Sequence, residues 1–458
     1  MGVSIEKICN AANEFLWGPY MLALFLFCGI YFTLSTGFLQ IRHIKLWWKN
    51  TACTLFTHKK SNEKGSITQM QALSTALAAT VGTGNITGVA AALLTGGPGA
   101  IFWMWISAFL GMMTAYAENV LGILYRYRDK DGKWVGGAMI YMDRGLHAKP
   151  LAILFSFLCV LVSFGMGNMA QIHSVSSVLQ STFSVPKILT GILCAGVVAL
   201  STLGGLGHIV KVTERLVPFM VVLFLGGSLV CLVNCAPAIP SAFVRIFHDA
   251  FTLQAAGGGA VGYGIKKAMR IGISRGVFSN EAGLGSAVAV HAATDVKEPA
   301  IQGMWGMFEV FIDTIVVCTM TALVILTSGV YDLYTGVDGT SLTATAYAQT
   351  FGGMGAGFIA ISTTFFAIAT TIGWSFFGES GTKYLFGEKG VKVYRLLFVA
   401  VAGIGALGSM EMVWGISDIF NVLMAVPNLI AILCLSGQVR KETRLFIQKT
   451  KKPRNRLF

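Results

Sequence analysis

Two long apolar stretches of this chain are interrupted near their centres by short runs rich in glycine and polar residues. The first run is residues 81–85 (Val-Gly-Thr-Gly-Asn), and the second is residues 278–285 (Phe-Ser-Asn-Glu-Ala-Gly-Leu-Gly). A backbone N–H or C=O group that is freed inside a lipid bilayer costs several kcal/mol unless it finds a partner. An interrupted membrane helix therefore indicates a function, and a pair of such breaks about half a chain apart predicts a transport site.

The composition supports a membrane setting. Of the 458 residues, 54% are hydrophobic and only 12% are charged, which excludes an ordinary set of soluble domains and predicts a polytopic protein in the lipid bilayer. A stretch of about 18 or more mostly apolar residues is long enough to span the bilayer. We predict eleven such helices, at residues 15–37, 67–95, 99–125, 150–180, 188–206, 213–236, 262–295, 300–328, 354–378, 391–410 and 413–436.

The distribution of basic residues predicts the orientation of the chain. The net charge of +13 is explained by Lys and Arg in cytoplasmic loops, so no nucleic-acid partner is expected. With the N-terminus outside and the C-terminus cytoplasmic, 27 of the 34 Lys and Arg lie in inner segments. One cluster does not fit, because it precedes the second break on the predicted outer side. Its members are Lys266, Lys267, Arg270 and Arg275.

The predicted helices divide into two similar sets. Without the first helix, ten remain, and each set of five begins with an interrupted helix. Because five is an odd number, the two sets insert upside down relative to each other, which predicts an inverted repeat with its site near mid-membrane. The fold class is thus an all-α polytopic membrane protein with about eleven transmembrane helices, a 5+5 inverted repeat with two broken helices and one extra N-terminal helix. The predicted units are an extra helix and basic cytoplasmic loop (1–66), a first repeat (67–236), an outer amphipathic connector (237–261), a second repeat (262–436) and a basic cytoplasmic tail (437–458).

The direction of each broken helix predicts what its freed backbone groups bind. In the first, unpaired carbonyls end near Val81 and unpaired N–H groups begin near Gly84. Carbonyls at the negative end of a helix suit a cation such as sodium, and N–H groups at the positive end suit a carboxylate. In the second, the carbonyls near Phe278 and Ser279 suit an ammonium group. A zwitterion such as an amino acid fits both breaks at once.

Three motifs in order along the chain resemble a known family. The runs are GTGNITGVA from Gly82, GGPGAIFWMWISAFLG at residues 96–111 and RGVFSNEAGLGSA at residues 275–287. They are similar to the signature set of the alanine/glycine:cation symporter family, within the leucine-transporter fold. The block at residues 96–111 has a simpler structural role, as a tight turn followed by packing or anchoring aromatic residues.

The resemblance implies roles for individual residues. Thr83 and Gly84 would offer backbone N–H groups to the substrate carboxylate, with Asn85 supporting the turn, and Phe278, Ser279 and Asn280 would line the pocket and meet the ammonium group. Gln171 would add a polar contact, and Trp374 would act as a lid over the side chain. Sodium would bind the carbonyls of Ala78 and Val81 and the hydroxyls of Thr370 and Thr371, with Thr363 and Thr364 as rivals. Each threonine also has an alternative role, because such hydroxyls commonly bond to carbonyls of their own helix.

Among the acidic residues within predicted spans, four are singled out as candidates for a function, namely Glu118, Glu281, Glu309 and Asp313. A charge inside a span suggests a function by default. Glu309 and Asp313 are one turn apart, and we expect them to pair with the basic cluster before the second break. Glu281 lies in the break and either holds the unwound loop or titrates. His173 and His291 are expected to be hydrogen-bonded packing residues, although histidine can also relay protons.

These features favour a secondary transporter in the inner membrane that couples sodium to the import of a small neutral amino acid by alternating access. The family resemblance implies that this amino acid is alanine or glycine. Glutamine or serine as cargo, or a proton as coupling ion, remain alternatives. A channel is disfavoured because polar residues form short islands rather than a continuous pore, and a receptor because no soluble signalling domain is present. An enzyme and a bound cofactor are not expected, because no nucleophile–base pair or metal cluster is found, and no Walker motif indicates an ATP-driven pump.

Overall fold

A computed structural model describes residue 9 and residues 11–55, 65–251, 263–334, 338–407 and 410–451. The described chain is almost entirely helical. The helices of its first half are α1 (Pro19–Ser35), α2 (Leu39–Arg42), α3 (Ile44–Asn50), α4 (Gln69–Thr80), α5 (Thr87–Gly96), α6 (Gly99–Tyr125), α7 (Ala138–Arg144), α8 (Lys149–Phe164), α9 (Ala170–Phe183), α10 (Lys187–Thr202), α11 (Leu206–Asn234) and α12 (Ile239–Phe251). Strands β1 (Tyr127–Arg128) and β2 (Trp134–Val135) form a short antiparallel hairpin between α6 and α7.

The second half continues in the same way. Its helices are α13 (Tyr263–Asn280), α14 (Val288–Ala292), α15 (Pro299–Val310), α16 (Thr319–Thr327), α17 (Val330–Leu333), α18 (Gly339–Phe351), α19 (Met354–Gly405), α20 (Met410–Cys434) and α21 (Ser436–Lys451). Two π-helical turns join neighbouring helices, Gly165–Met169 between α8 and α9 and Phe311–Cys318 between α15 and α16. Such turns insert an extra residue into the helical ladder and occur often at functional sites.

Several helices have the length and apolarity of membrane spans. Within the described ranges, six helical segments qualify by length and composition, and three shorter apolar helices accompany them, α1, α5 and α10. The predicted breaks fall between helices, because α4 ends at Thr80 and α5 begins at Thr87, while α13 ends at Asn280 and α14 begins at Val288. The number of spans and the repeat remain predictions.

Three predicted boundaries were wrong. The second broken helix, predicted at residues 262–295, regains only the five residues of α14 after its break. Helix α11 begins at Leu206, well before the predicted residue 213. The run α19 is interrupted at Gly387, where φ is +68° and ψ is −166°, and its two helical parts correspond to the spans predicted at residues 354–378 and 391–410.

The third error concerns residues 329–341, which follow the predicted span at residues 300–328 and were expected to form a loop rather than helices. Within its described part, α17 is helical and α18 begins at Gly339, whereas residues 335–337 lie outside the described ranges. The carboxylate of Asp338 accepts hydrogen bonds from the N–H groups of Thr340 and Ser341, which caps the start of α18. Helix α18 was missed because its four threonines obscure the apolar periodicity.

The connector that follows α11 forms an amphipathic helix, α12, in its described part. The sequence predicts this helix. Its aromatic residues pack on α6, where the ring centroids of Phe102 and Phe247 are 5.6 Å apart and those of Trp105 and Phe243 are 6.1 Å apart. On its polar face, Arg245 forms a two-bond ion pair with Asp332 of α17, at 2.9 and 2.6 Å. The rest of the connector, residues 252–261, lies outside the described ranges.

Backbone hydrogen bonds join the start of the first broken helix to the end of the second. The N–H of Ile67, just before α4, donates to the carbonyl of Ala293 at 3.1 Å, and the N–H of Asp295 donates to the carbonyl of Ile67 at 3.2 Å. The guanidinium of Arg126 donates to the carbonyl oxygens of Ala292 and Thr294, at 2.8 and 2.5 Å. The chain that follows α14 is thereby fixed to both α4 and α6.

Helix α6 is the centre of the packing, with α13 and α15 lying against it at close range. A Cβ atom on Gly272 of α13 would lie 2.3 Å from the carbonyl oxygen of Ala100, and one on Gly303 of α15 would lie 2.6 Å from the Tyr116 ring. Both distances are too short for any side chain. The glycines therefore set the separation of these helices, as small residues do in membrane helix pairs.

We predict that Gly272→Ala destabilises the protein by about 1–3 kcal/mol, because the added methyl group meets backbone rather than a movable side chain. The measurement is the thermal midpoint of the purified protein in detergent. Gly196→Ala on α10 is the matched control, because nothing lies within 4 Å of its added Cβ. Equal midpoints for both variants would contradict this packing.

Candidate functional site

The first break is a short irregular segment held by its own polar groups. After α4 ends, residues Thr83–Asn85 form a single 3-10 turn, and Asn85 is fully buried. The Asn85 side-chain oxygen accepts a hydrogen bond from the N–H of Gly82 at 2.8 Å, and its backbone carbonyl accepts one from the Thr321 hydroxyl at 2.7 Å. Asn85 thus stabilises the turn, the role that the family resemblance implies, because it replaces backbone partners that the break removes.

The second break is sharper and depends on two glycines. Glu281, Gly283 and Gly285 adopt positive φ angles of 55°, 95° and 73°. A Cβ on Gly283 would lie 2.8 Å from the Phe25 ring, so both the backbone conformation and the packing require glycine there. Glu281 is a non-glycine residue in the same left-handed region, and such strain is retained only where surrounding contacts impose it.

The two breaks face each other. A Cβ on Gly84 would lie 3.6 Å from a ring carbon of Phe278 and 3.9 Å from Cα of Ser279. The hydroxyl of Thr83 donates to the side-chain oxygen of Gln171 at 3.1 Å, which adds α9 to the same place. Five predicted site residues from three separate parts of the chain therefore lie together.

The buried carboxylate of Asp313 joins the two breaks. One oxygen accepts a hydrogen bond from the Asn85 amide at 2.7 Å, and the other accepts from the Ser279 hydroxyl at 2.9 Å and the Thr314 hydroxyl at 2.7 Å. Asp313 lies in the π-helical turn after α15. The expected pairing of Asp313 with the basic cluster was wrong, because polar groups of the breaks are its partners.

Glu309 also has a different partner from the one expected. Its carboxylate lies 2.9 Å from Nε2 of His291, a residue of α14. Within the basic cluster, the guanidinium of Arg275 lies over the Phe278 ring, 5.8 Å from its centroid. His291 is a hydrogen-bonded packing residue, as predicted.

Asn280 and Trp374 lie behind the second break and bond to it. The Asn280 side chain accepts from the N–H of Ala282 at 3.1 Å and donates to the Thr314 hydroxyl at 3.2 Å. The indole N–H of Trp374 donates to Glu281 at 2.9 Å, and the Glu281 carboxylate also accepts from the Ser286 hydroxyl at 2.5 Å. Of the two roles open to Glu281, these bonds fit the one that holds the unwound loop.

Glu118 and Asn428 hold the backbone of the same break, a role that sequence reasoning missed. Glu118 accepts from the N–H of Gly285 at 3.0 Å and from the Asn428 amide at 2.5 Å. The Asn428 amide also donates to the carbonyl of Gly283 at 2.9 Å, and the Tyr141 hydroxyl donates to the Asn428 side-chain oxygen. In the sequence, this role was indicated only by the presence of a carboxylate, Glu118, and an amide, Asn428, within otherwise apolar spans.

A second set of oxygen atoms lies on the other side of the first break. The Gly82 N–H donates to Asn85, so the usual helical partner of the Ala78 carbonyl is turned away, and Val81 is the last capping residue of α4. A Cβ on Gly82 would lie 2.5 Å from the Thr370 hydroxyl. That hydroxyl is buried and has no hydrogen-bond partner among the described residues. An unsatisfied hydroxyl beside unpaired carbonyls suits a small cation.

The other threonines of α19 differ from Thr370. The hydroxyl of Thr371 donates to the carbonyl of Ala367 at 2.9 Å, and that of Thr364 donates to the carbonyl of Ala360 at 2.7 Å. The Thr363 hydroxyl is also buried without a partner in the described chain, but Thr370 is the residue that contacts the break. The lone pairs of Thr371 still permit it to bind a cation while it donates to Ala367.

Comparison with solved structures shows the fold. The crystal structure of MhsT in complex with L-phenylalanine superposes with a TM-score of 0.62, and the match covers 84% of this chain and 93% of that one. Only 12% of the aligned residues are identical. The chain therefore has the leucine-transporter fold.

Comparison of sequences shows the family. The chain is 44% identical over 447 residues to the sodium/alanine symporter AgcS of Methanococcus maripaludis, across 96% of this chain and 97% of the relative. It is 35% identical over 456 residues to a Bacillus subtilis protein described as "Probable sodium/glutamine symporter GlnT". This match covers 99% of this chain and 93% of that protein. The sequence profile of the sodium:alanine symporter family matches residues 2–458. This chain, with its two facing helix breaks, is therefore a multi-pass membrane transporter that belongs to the sodium:alanine symporter family.

Proposed function

We propose that this protein is a symporter that imports a small neutral amino acid, alanine or glycine, together with sodium. The observation that carries the proposal is the meeting of the two breaks, in which Gly84 faces Phe278 and both breaks bond to Asp313. An amino acid has a carboxylate and an ammonium group a few ångströms apart. Two helix breaks of opposite polarity provide complementary groups for both.

The first break binds the substrate carboxylate. The N–H groups of Thr83 and Gly84 are the first donors of the 3-10 turn Thr83–Asn85, which precedes the positive end of α5, and donors at the start of such a turn lack helical partners. Asn85 keeps the turn in this shape. Gln171, bonded to the Thr83 hydroxyl, supplies a polar contact from α9.

The second break binds the ammonium group. Helix α13 ends at Asn280, so the carbonyl groups of Phe278 and Ser279 lie at its negative end. Asp313, which accepts the Ser279 hydroxyl proton, adds carboxyl oxygens beside them as further acceptors. Phe278 and Asn280 line the side-chain pocket, and Trp374, whose indole N–H bonds to Glu281 of the break, acts as its lid.

Sodium binds beside the first break rather than within the amino-acid pocket. Its ligands are the carbonyl oxygens of Ala78 and Val81 and the hydroxyls of Thr370 and Thr371, all oxygen atoms of the kind that hard cations prefer. Sodium bound there fixes the end of α4 and the turn that follows. Transport then proceeds by alternating access, in which the broken helices and their neighbours rock against the remaining helices.

The contact between the breaks favours a small substrate. Ordinary van der Waals distance separates a Cβ on Gly84 from Phe278, so a long side chain such as that of glutamine requires Phe278 to move. Glutamine is the second candidate, because one relative carries that substrate in its description. Serine as cargo and a proton as coupling ion are the remaining alternatives.

The proposed setting is the inner membrane, with the N-terminus outside and the C-terminus cytoplasmic. This orientation places 27 of the 34 Lys and Arg on the cytoplasmic side, as the positive-inside rule requires. Both breaks then lie near mid-membrane.

The test of the proposal is uptake of radiolabelled alanine into proteoliposomes. An inward sodium gradient is expected to drive accumulation, and unlabelled glycine is expected to compete better than glutamine or serine. Lithium, potassium and a pH gradient without sodium serve as comparisons. Accumulation driven equally by a pH gradient alone, or stronger competition by glutamine, would favour the corresponding alternative.

We predict that Thr370→Val raises the sodium concentration for half-maximal alanine uptake by about tenfold or more, because it removes a sodium ligand worth roughly 1.4 kcal/mol or more. Uptake at varied sodium concentration measures this effect. Thr364→Val is the matched control on the same helix, since the Thr364 hydroxyl bonds to Ala360. If both variants show the same sodium dependence, Thr370 is not a ligand.

We predict that Gly84→Val abolishes alanine binding while the protein still folds and inserts. The added side chain fills the space beside Phe278 without meeting backbone closer than ordinary contact. Binding is measured with labelled alanine on purified protein whose chromatographic profile matches that of wild type. Gly88→Val, on the next turn, is the control, because nothing lies within 4 Å of its Cβ. Retained binding in Gly84→Val would refute the proposed placement of the substrate.

A further inference from the structure

Outside the proposed binding site, a basic cavity lies at the end of α6. Its volume is about 520 Å³. Its walls come from three parts of the chain: the end of α6 with the residue that follows, the β1–β2 hairpin and the segment between α14 and α15. The hairpin contributes Arg128 and Trp134, and the segment contributes Asp295 and Lys297. None of these residues has a role in the proposed binding of substrate or sodium.

The cavity lies at the level where lipid headgroups are expected. Helix α6 has 27 residues, so it is about 40 Å long, whereas the hydrocarbon core of a bilayer is about 30 Å thick. Its last turn therefore reaches the headgroup region. Ile123 and Leu124 of that turn give the cavity an apolar wall. In the proposed orientation, this end of α6 is cytoplasmic.

Two arginines of the cavity are held in place by their neighbours. The guanidinium carbons of Arg126 and Arg128 lie 4.0 and 4.4 Å from the centroid of the Trp134 ring. Arg126 also donates to the main-chain carbonyls that follow α14, and Arg128 donates to the carbonyl of Gly132 at 2.6 Å. Both positive charges are thereby fixed at the cavity.

Lys297 adds a third positive charge. Its side chain is exposed and forms no ion pair with any other described residue. The next residue, Glu298, is paired with Lys449 at 2.8 Å. Among the described lining residues, Asp295 is the one carboxylate, so three cations and one anion leave a formal charge of +2.

The parts of the chain outside the described ranges do not complement this charge. Residues 56–64 contain three lysines and one glutamate, and residues 452–458 contain one lysine, two arginines and no acidic side chain. A complementary anion therefore comes from outside the chain. A phospholipid with an acidic headgroup combines a negative charge with apolar acyl chains, and the cavity offers cations beside an apolar wall.

We propose that this cavity binds the headgroup of an anionic phospholipid; its assignment to the cytoplasmic leaflet rests on the proposed orientation. The phosphate lies against the exposed side chains of Arg128 and Lys297, and the acyl chains begin along Ile123 and Leu124. The bound headgroup joins the hairpin to the segment between α14 and α15. Because the unfolded chain has no such cavity, binding stabilises the folded protein.

The first measurement is native mass spectrometry of delipidated wild-type protein, titrated with phosphatidylglycerol or with phosphatidylcholine of the same acyl chains. The first phosphatidylglycerol is expected to bind about fivefold or more tightly than phosphatidylcholine, because affinity for an anionic lipid changes about fivefold for each basic residue at the surface. Inorganic phosphate is not expected to displace it. Equal affinity for the two lipids overturns the inference, and displacement by inorganic phosphate overturns the assignment to a lipid.

The second measurement compares two lysine variants. Lys297→Gln removes one charge from the cavity and is expected to weaken phosphatidylglycerol binding by about fivefold while phosphatidylcholine binding stays unchanged. Lys133→Gln is the matched control, because Lys133 is an exposed lysine of the hairpin that is not among the lining residues. Equal phosphatidylglycerol affinities of the two variants overturn the inference.

The third measurement is the thermal midpoint in detergent with and without phosphatidylglycerol. Without lipid, wild type and both variants are expected to share one midpoint, because both lysines are exposed. With lipid, the midpoint is expected to rise in wild type and in Lys133→Gln by more than in Lys297→Gln. The same rise in all three proteins contradicts binding at this cavity.

These outcomes are separate from those that test the proposed function, because neither sodium nor alanine is present. If wild-type protein takes up alanine with sodium but does not prefer phosphatidylglycerol, only the lipid site is refuted. If it prefers phosphatidylglycerol but shows no sodium-driven uptake, the proposed function fails and the lipid site stands.

Discussion

The structure depends on the hydrogen bonds that bring both helix breaks to the carboxylate of Asp313. Asn85 from the first break and Ser279 from the second donate to its two oxygens, at 2.7 and 2.9 Å. A buried carboxylate is stable only with such donors or with a cation nearby. Because the donors come from different broken helices, a change at one break alters the contacts of the other. The π-helical turn places this carboxylate between them.

One turn of α19 provides a second connection between the breaks. Thr370 contacts Gly82 in the first break, and Trp374, four residues later, bonds to Glu281 in the second. A cation that binds the Thr370 hydroxyl therefore acts on the helix that holds both breaks. This arrangement gives sodium binding a physical route to the amino-acid pocket, and it gives the strained Glu281 a reason to keep its conformation.

The sequence predicted the features that depend on local composition. The apolar stretches, the two breaks and the amphipathic helix α12 follow from periodicity and residue type, whereas the turn-forming role of Asn85 was implied by the family resemblance. Helix α18 was missed because its threonines obscure the apolar periodicity, and the short extent of α14 was not predicted because the backbone bonds of the following residues to Ile67 depend on the packed fold. The partners of Asp313 and Glu309 also escaped prediction. Spacing along a helix shows which charges share a face, but only the packed fold shows which neighbours they reach.

The most direct test of the central claim, that one sodium-organised site spans both breaks, is equilibrium binding of labelled alanine to purified protein. Affinity is measured in sodium chloride and in potassium chloride of equal concentration. The account predicts markedly tighter binding in sodium, because sodium orders the first break before the carboxylate binds there. Equal affinity in the two salts would contradict it.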